Sequence, residues 1–437
     1  MKNNELKKAL LGNSIEYYNL KGKTIEERYF PLTQYAIARS KNGVNPYSNC
    51  VMHTSIAPYV KASIGGNEIQ EYLNFSSQDY MGLSQNNQVK QAIYNTIEKY
   101  GIHTASSPAF TGRNPLICEL EEKLSKTLGI EQTILFTAGW MACFGAIKSL
   151  VSPKDIILLD GYAHNSLQTA AASATEEIYR FRHNNIEHLE ELLNKKREKF
   201  QTNGIFVVVE SLYSMHSDII DIKKYIDVAN KYEAIVILDI AHDFGVMGEN
   251  GLGVLEGISQ ADKENLVIIG AFTKAFATNG GFVSGKNIIR AQTMLYSPSY
   301  TFSNSISPIQ TAVALECANI LFKQEGKKIR KDFFENINYA INKFKYNNFI
   351  INGSPSPIIP VVIGDDVLSR LLYKQNCENK LLANLAEFPA VPKNQSLFRF
   401  QMMATHTKEH IDKAVEIFSQ SFIQSKQTLK ELKNSII

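Results

Sequence analysis

Two apolar runs of this chain end in residues that can act together. The run AIVILDI (234–240) delivers Asp239, and the next residues bring His242. The run NLVIIGAF (265–272) leads through Thr273 to Lys274. Parallel sheets bind ligands at the carboxyl ends of their strands, so a carboxylate and an amine would meet at one edge. A lysine just past a buried strand can form a Schiff base, and desolvation lowers its pKa. An aspartate at the next strand end can pair with a protonated pyridine nitrogen. Together they are what a pyridoxal phosphate site requires. Taken singly, Lys274 also reads as a solvated loop lysine and Asp239 as a helix N-cap.

Two further segments add to the pair. FTAGWMACFGAI (136–147) is a strand leading through Gly139 into a helix. A helix start of this kind presents free N–H groups and a positive dipole to a phosphate. DGYAHNSL (160–167) places His164 after another strand, where it can stack on a cofactor ring. By itself the first is a plain strand–helix turn and the second a structural histidine. The glycines of HDFGVMGENGLG (242–253) lack GxGxxG spacing and a strand running directly into a helix, so they are not a dinucleotide fingerprint.

The elements that must position these residues follow from patterning. TILF (133–136), DIILLD (155–160), IFVVVES (205–211) and the two runs above are short and rich in β-branched residues. Amphipathic stretches lie between them, such as 116–128, 185–200 and 221–232. This alternation predicts an α/β fold with a mostly parallel central sheet and helices on both faces. The predicted organisation is an irregular polar N-terminal arm or small layer over 1–70, a large domain over 71–300 and a smaller α+β domain over 301–437. The last contains strands at 358–364 and 396–403 and a helix from about 407.

Composition narrows the class. Of 437 residues, 44% are apolar and 20% charged, which excludes a disordered or collagen-like chain. A net charge of +3 gives no electrostatic case for nucleic acid. No stretch approaches the roughly 18 apolar residues of a spanning helix, and the first twenty residues do not read as a signal peptide. The five scattered cysteines show no CxxC or metal spacing, which predicts reduced thiols in a cytoplasmic protein without a metal site.

Taken in order, these residues resemble the α-oxoamine synthases, pyridoxal-phosphate enzymes of the aspartate-aminotransferase fold (fold type I). The family includes 8-amino-7-oxononanoate synthase, 2-amino-3-ketobutyrate CoA ligase, 5-aminolevulinate synthase and serine palmitoyltransferase. The resemblance runs from about residue 72 to about residue 418. It is carried by NFSSQDYMGLS, ELEEKLSKTLG, DGYAHNSL, ESLYSMHSDI, LDIAHDFGVMGENGLG, GAFTKAFATNGGF, YTFSNSISP and VPKNQSLFRFQMMATHT. Their order and spacing together are specific; the last block looks most like the ligase branch.

The resemblance implies roles for individual residues. Lys274 matches the Schiff-base lysine, Asp239 the pyridine-nitrogen partner, His242 the histidine near the phenolic oxygen and His164 the stacked histidine. The amides of Gly139 and Trp140 match the phosphate cradle, with Thr273 beside it. Glu210 and Ser214 match residues lining the cofactor side. Ser303 and Asn304 match a segment reaching a neighbouring subunit's phosphate, which implies a homodimer with shared active sites. Arg399 matches the arginine that grips the amino-acid carboxylate, a role suited to its bidentate geometry. Gln78 and Ser107 match the substrate side.

Three departures stand out. Ala271 occupies a position that is usually Thr or Ser and helps bind phosphate. The common SMDG reads SMHS (214–217), and the glycine-rich GGSR-like segment reads ASSPAFTGR (105–113). The implied activity is condensation of glycine, alanine or serine with an acyl thioester, with loss of carbon dioxide. Transamination or aldol chemistry on the same scaffold is one alternative. A non-catalytic partner subunit is another, although such subunits typically lose the lysine that is kept here as Lys274.

Overall fold

The computed structural model describes residues 2–18, 20–47 and 49–435. The chain forms two compact units. The larger comprises Asp79–Ser214 and Asp218–Asp332. The other gathers the residues up to Gln78, the short piece Met215–Ser217 and the residues from Phe333 onward. The division therefore falls elsewhere than at 70 and 300, because the first residues fold with the last ones.

A sheet of seven strands forms the centre of the larger unit, among the described residues. Their order is Gln132–Phe136, Gly281–Gly285, Leu266–Ala271, Ile235–Asp239, Ile205–Glu210, Ile156–Asp160 and Ile178–Phe181. Only Gly281–Gly285 runs antiparallel to its neighbours. Every position of Ile156–Asp160, Ile205–Glu210 and Leu266–Ala271 is buried, as strands covered on both faces require. On one face Ile157, Leu159, Val208, Ile237 and Ile269 pack against Ala142, Ala146, Ala170 and Ala171. Those alanines come from the helices Gly139–Leu150 and Asn165–Ala174 and let them lie close to the sheet. Full burial of Ile157 or Leu159 contributes about 1.5–3 kcal/mol each. The strands Ile178–Phe181 and Gly281–Gly285 had no counterpart in the apolar pattern, being partly exposed and glycine-flanked respectively.

The other unit holds a second sheet of seven strands, in the order Cys50–Met52, Tyr59–Ile64, Gln70–Phe75, Leu381–Ala386, Ser396–Gln401, Ile358–Gly364 and Ile350–Ile351. Residues 1–70, expected as an irregular arm or small layer, supply two of these strands and the helices Lys2–Leu11 and Ile25–Lys41. Their strands are too short, and their helices too polar, to declare themselves by periodicity. The second helix starts at a capping box, Thr24 with Glu27, and tolerates Pro31 inside it. Ala9, Leu10, Ala38 and Val44 share one apolar cluster with Leu368, Leu371 and Leu429. A buried ion cluster reinforces this packing: Glu387 lies 2.5 Å from Arg39 and 2.6 Å from Arg370. Arg370 also donates to the carbonyls of Leu10 and Gly12. Among the described residues no helix is long and apolar enough to cross a membrane.

Candidate functional site

At the carboxyl edge of the larger unit's sheet lies a cavity of about 180 Å³, lined by Gly139, Trp140, Cys143, His164, Glu210, Asp239, His242, Ala271, Thr273 and Lys274, among others. Local folding brings each residue there. Lys274 sits in a loop pinned by two fully buried phenylalanines, Phe272 and Phe276, whose rings meet at 5.4 Å. Phe272 N–H donates to the Gly280 carbonyl, closing that loop. Asp239 ends its strand with Oδ1 accepting from Ala241 N–H at 2.9 Å.

The helix Gly139–Leu150 starts after Ala138, whose side chain makes no capping bond, so its first N–H groups are left for a ligand. Gly139 is required by close packing: a Cβ there would lie 2.6 Å from that of Ala271. Gly281 is tight for a similar reason, since its Cβ would come within 2.9 Å of the Gly139 nitrogen.

The electrostatics of the cavity are those of a buried acid pair opposed by cations. Burial is the main cause that raises the Asp239 pKa; the Ala241 amide, the Lys274 ammonium and His164 oppose it. Glu210 is raised well above the usual range, by burial first and then by the Asp239 charge. The Cys143 thiol, also pushed up by burial, donates to Asp239 Oδ2 at 3.6 Å. His242 is buried, with Nδ1 3.0 Å from the Tyr80 hydroxyl. His164 Nδ1 accepts from Ser166 N–H and lies 2.8 Å from its hydroxyl, while His164 N–H donates to Glu210 at 2.5 Å.

The fold recurs in known proteins. A family model described as aminotransferase class I and II matches residues 70–418. A serine palmitoyltransferase of Bacteriovorax stolpii is 32% identical over 80% of this chain and 83% of its own length. The chain belongs to the class I and II aminotransferases, among the α-oxoamine synthases. An 8-amino-7-oxononanoate synthase of Petrotoga mobilis is 30% identical over 80% of this chain and 88% of its own. A solved serine palmitoyltransferase carrying pyridoxal phosphate superposes with a TM-score of 0.85 at 26% identity, covering 92% of this chain and all of that one.

Not every residue expected at the site lines the cavity. Lys274, Asp239, His242, His164, Gly139, Trp140, Glu210 and Thr273 do. Ser214 and Ser107 belong to the same unit but do not; the Ser107 hydroxyl donates to the Thr301 carbonyl at 2.7 Å. Half-buried Ser303 and exposed Asn304 also stand outside the cavity lining. Gln78 and Arg399 belong to the other unit, where Arg399 lines a pocket of about 310 Å³ with Ser76, Tyr373 and Asn384. Tyr80, Cys143 and Ser166 had not been singled out. Ser166 had a local signal, two residues after His164; Tyr80 and Cys143 had none.

The glycine-rich stretch after His242 has a structural explanation. Asp243 is buried, accepting from the Ser211 hydroxyl at 2.6 Å and Val254 N–H at 2.8 Å. Gly253, at φ +57, leaves room for it: a Cβ there would be 2.0 Å from Asp243 Oδ2.

Proposed function

We propose that this chain is a pyridoxal-phosphate-dependent C-acyltransferase that joins a small amino acid to an acyl thioester and releases carbon dioxide. The α-carbon of the amino acid bonds to the thioester carbonyl carbon, the thiol leaves, and loss of the carboxylate gives an α-aminoketone. Serine is the first amino acid to test, since serine palmitoyltransferases stand among the relatives; glycine and alanine follow.

The residues present fit the cofactor. Asp239 is a buried carboxylate whose charge a protonated ring nitrogen would offset. The uncapped amides from Gly139 onward suit a phosphate, in a position where Ala271 contributes a methyl group rather than a hydroxyl. When bound, pyridoxal phosphate supplies an electron sink for negative charge at the substrate α-carbon.

The remaining work falls to side chains. Lys274 Nζ would hold the cofactor, and its free amine would be the base for the α-proton. Asp239 would hold the ring nitrogen in its protonated form. His242, oriented by Tyr80, and His164 would help hold the cofactor, His242 on its phenolic side and His164 against its ring. Ser214 borders the cofactor side, Arg399 holds the amino-acid carboxylate, and Gln78 and Ser107 border the substrate. Ser303 and Asn304 would help hold the phosphate in a second copy of the chain, in a homodimer.

The single observation that supports this reading most is the convergence of Lys274, Asp239, His164 and His242 on one cavity with an uncapped helix at its end. The test is an assay of the cofactor-loaded chain with carboxyl-labelled serine, glycine or alanine and acyl-CoA thioesters of several lengths. Equal amounts of free thiol and labelled carbon dioxide are expected. Keto acid formed without thioester consumption would replace this reading by transamination.

A further inference from the structure

His183 of the larger unit stands outside the cavity lining and between two carboxylates. Its Nδ1 lies 2.8 Å from Asp160 Oδ1 and its Nε2 lies 3.1 Å from Asp218 Oδ2. Carboxylates only accept, so both ring nitrogens donate and the ring is an imidazolium. Tyr162 stacks on it at 4.4 Å and Tyr213 meets it edge-on at 4.5 Å. Burial pulls its pKa down, but the two carboxylates outweigh burial and hold it at about 9. Among the other groups at this edge, Tyr225 and Glu210 both feel the Asp160 charge. Burial keeps the Tyr213 and Tyr225 hydroxyls un-ionised above their ordinary value.

Three segments meet at this ring. Asp160 is fully buried at the end of its strand and also accepts from Tyr162 N–H at 2.8 Å and Asn184 N–H at 3.0 Å. The turn it holds continues directly to His164. Asp218 pairs with Tyr213 in a small antiparallel ladder that encloses Ser214. Neither His183 nor Asp218 contributes to the cavity wall.

We propose that His183 is a positioning residue: its imidazolium ties the turn that carries His164 to the hairpin that carries Ser214, and so holds His164 at the cofactor cavity. This rests on the reading of that cavity as a pyridoxal phosphate site. Without the cation, the buried Asp160 carboxylate keeps its two amide donors but loses its charge partner, and the turn is free to shift. A rise of pH through the imidazolium pKa does the same in the unmodified protein.

The molecule carries its own reporter. Trp140 is the only tryptophan in the sequence, and its ring lies 6.4 Å from that of His164, edge-on. The experiment compares acrylamide quenching of Trp140 in the full chain, before cofactor is added, for wild type, His183→Gln and Asp218→Asn. Pyridoxal phosphate affinity is then measured by titration. Both variants are expected to quench more readily and to bind the cofactor about tenfold more weakly, the worth of one charge-assisted hydrogen bond. Wild type should show the same rise in quenching on passing pH 9, while His183→Gln stays level there.

Unchanged quenching and affinity in both variants would overturn the proposal, as would a wild type with no transition near pH 9. If His183→Gln does not fold, Asp218→Asn, which keeps the Asp160 contact, decides alone. Quenching changes in a protein that takes up no pyridoxal phosphate would support the clamp and overturn the cofactor reading.

Discussion

Asp239 and Glu210 stand directly opposite one another at the ends of two parallel strands, with both carboxylates buried. Two adjacent buried acids cannot both ionise freely. Glu210 is pushed well above the usual carboxylate range, by burial first and then by the Asp239 charge. Burial raises Asp239 too, but the Ala241 amide, Lys274 and His164 act against that rise.

This asymmetry predicts unequal mutational effects. Asp239→Asn should lower kcat by about 100-fold or more, because it removes a preorganised charge. Glu210→Gln should retain most activity, since the amide oxygen still accepts from His164 N–H. Glu210→Ala leaves that N–H without its acceptor, at roughly 1–3 kcal/mol of stability. Equal loss of kcat in Asp239→Asn and Glu210→Gln would show that the charge sits on both.

A buried histidine sets an acid limit on stability. His406 stacks on Phe75 at 4.0 Å, accepts from Met403 N–H and lies 2.9 Å from the Asn74 carbonyl. Burial pulls its pKa from 6.5 down to about 3, against the pull of the Asn74 carbonyl. A base with a depressed folded pKa stabilises the fold fully above its unfolded value and withdraws that support as pH falls toward the folded one. Between pH 6.5 and about 4.5 the loss amounts to roughly 2–3 kcal/mol. Thermal unfolding at the two pH values should show a larger drop for wild type than for His406→Gln. Equal drops would assign the acid sensitivity to other groups.

The residues readable in advance share a physical basis. Asp239, Lys274 and His164 follow strands whose continuous apolar runs marked them, so their arrival at one edge was inherent in a parallel sheet. Tyr80 reaches His242 across 162 positions and Cys143 reaches Asp239 across 96. No local pattern encodes such meetings. The strand Gly281–Gly285 was missed because its glycines pack against Gly139 and Ile289 instead of forming an apolar run. The packing of the first seventy residues has no local signal, because their burial depends on Leu368, Leu371 and Arg370, far away in the chain.

That dependence gives a stability prediction. Glu387 is flanked by the buried guanidinium groups of Arg39 and Arg370. Glu387→Gln leaves two buried cations without their anion, which typically destabilises by about 3–5 kcal/mol. Loss of the exposed Lys224–Asp221 pair, in Lys224→Ala, should change stability by less than about 1 kcal/mol. Calorimetry of the two variants checks both; matching midpoints would mean the Glu387 cluster contributes little.

Ala271 offers a gain rather than a loss. It lines the cavity beside the Gly139 end of the helix and has no hydroxyl to offer. Ala271→Ser adds one hydroxyl donor at that end, and pyridoxal phosphate affinity should rise by roughly threefold to tenfold. Equilibrium dialysis reads this directly; weaker or unchanged binding would indicate that the phosphate is held elsewhere.

The central claim concerns Lys274. Its most direct test is the visible absorption spectrum of the full chain after incubation with pyridoxal phosphate and removal of excess, recorded before and after adding serine. Wild type should hold a visible band that serine perturbs. Lys274→Ala should lose the covalent band and all turnover while remaining folded. A Lys274→Ala protein with the wild-type spectrum and activity would contradict the assignment.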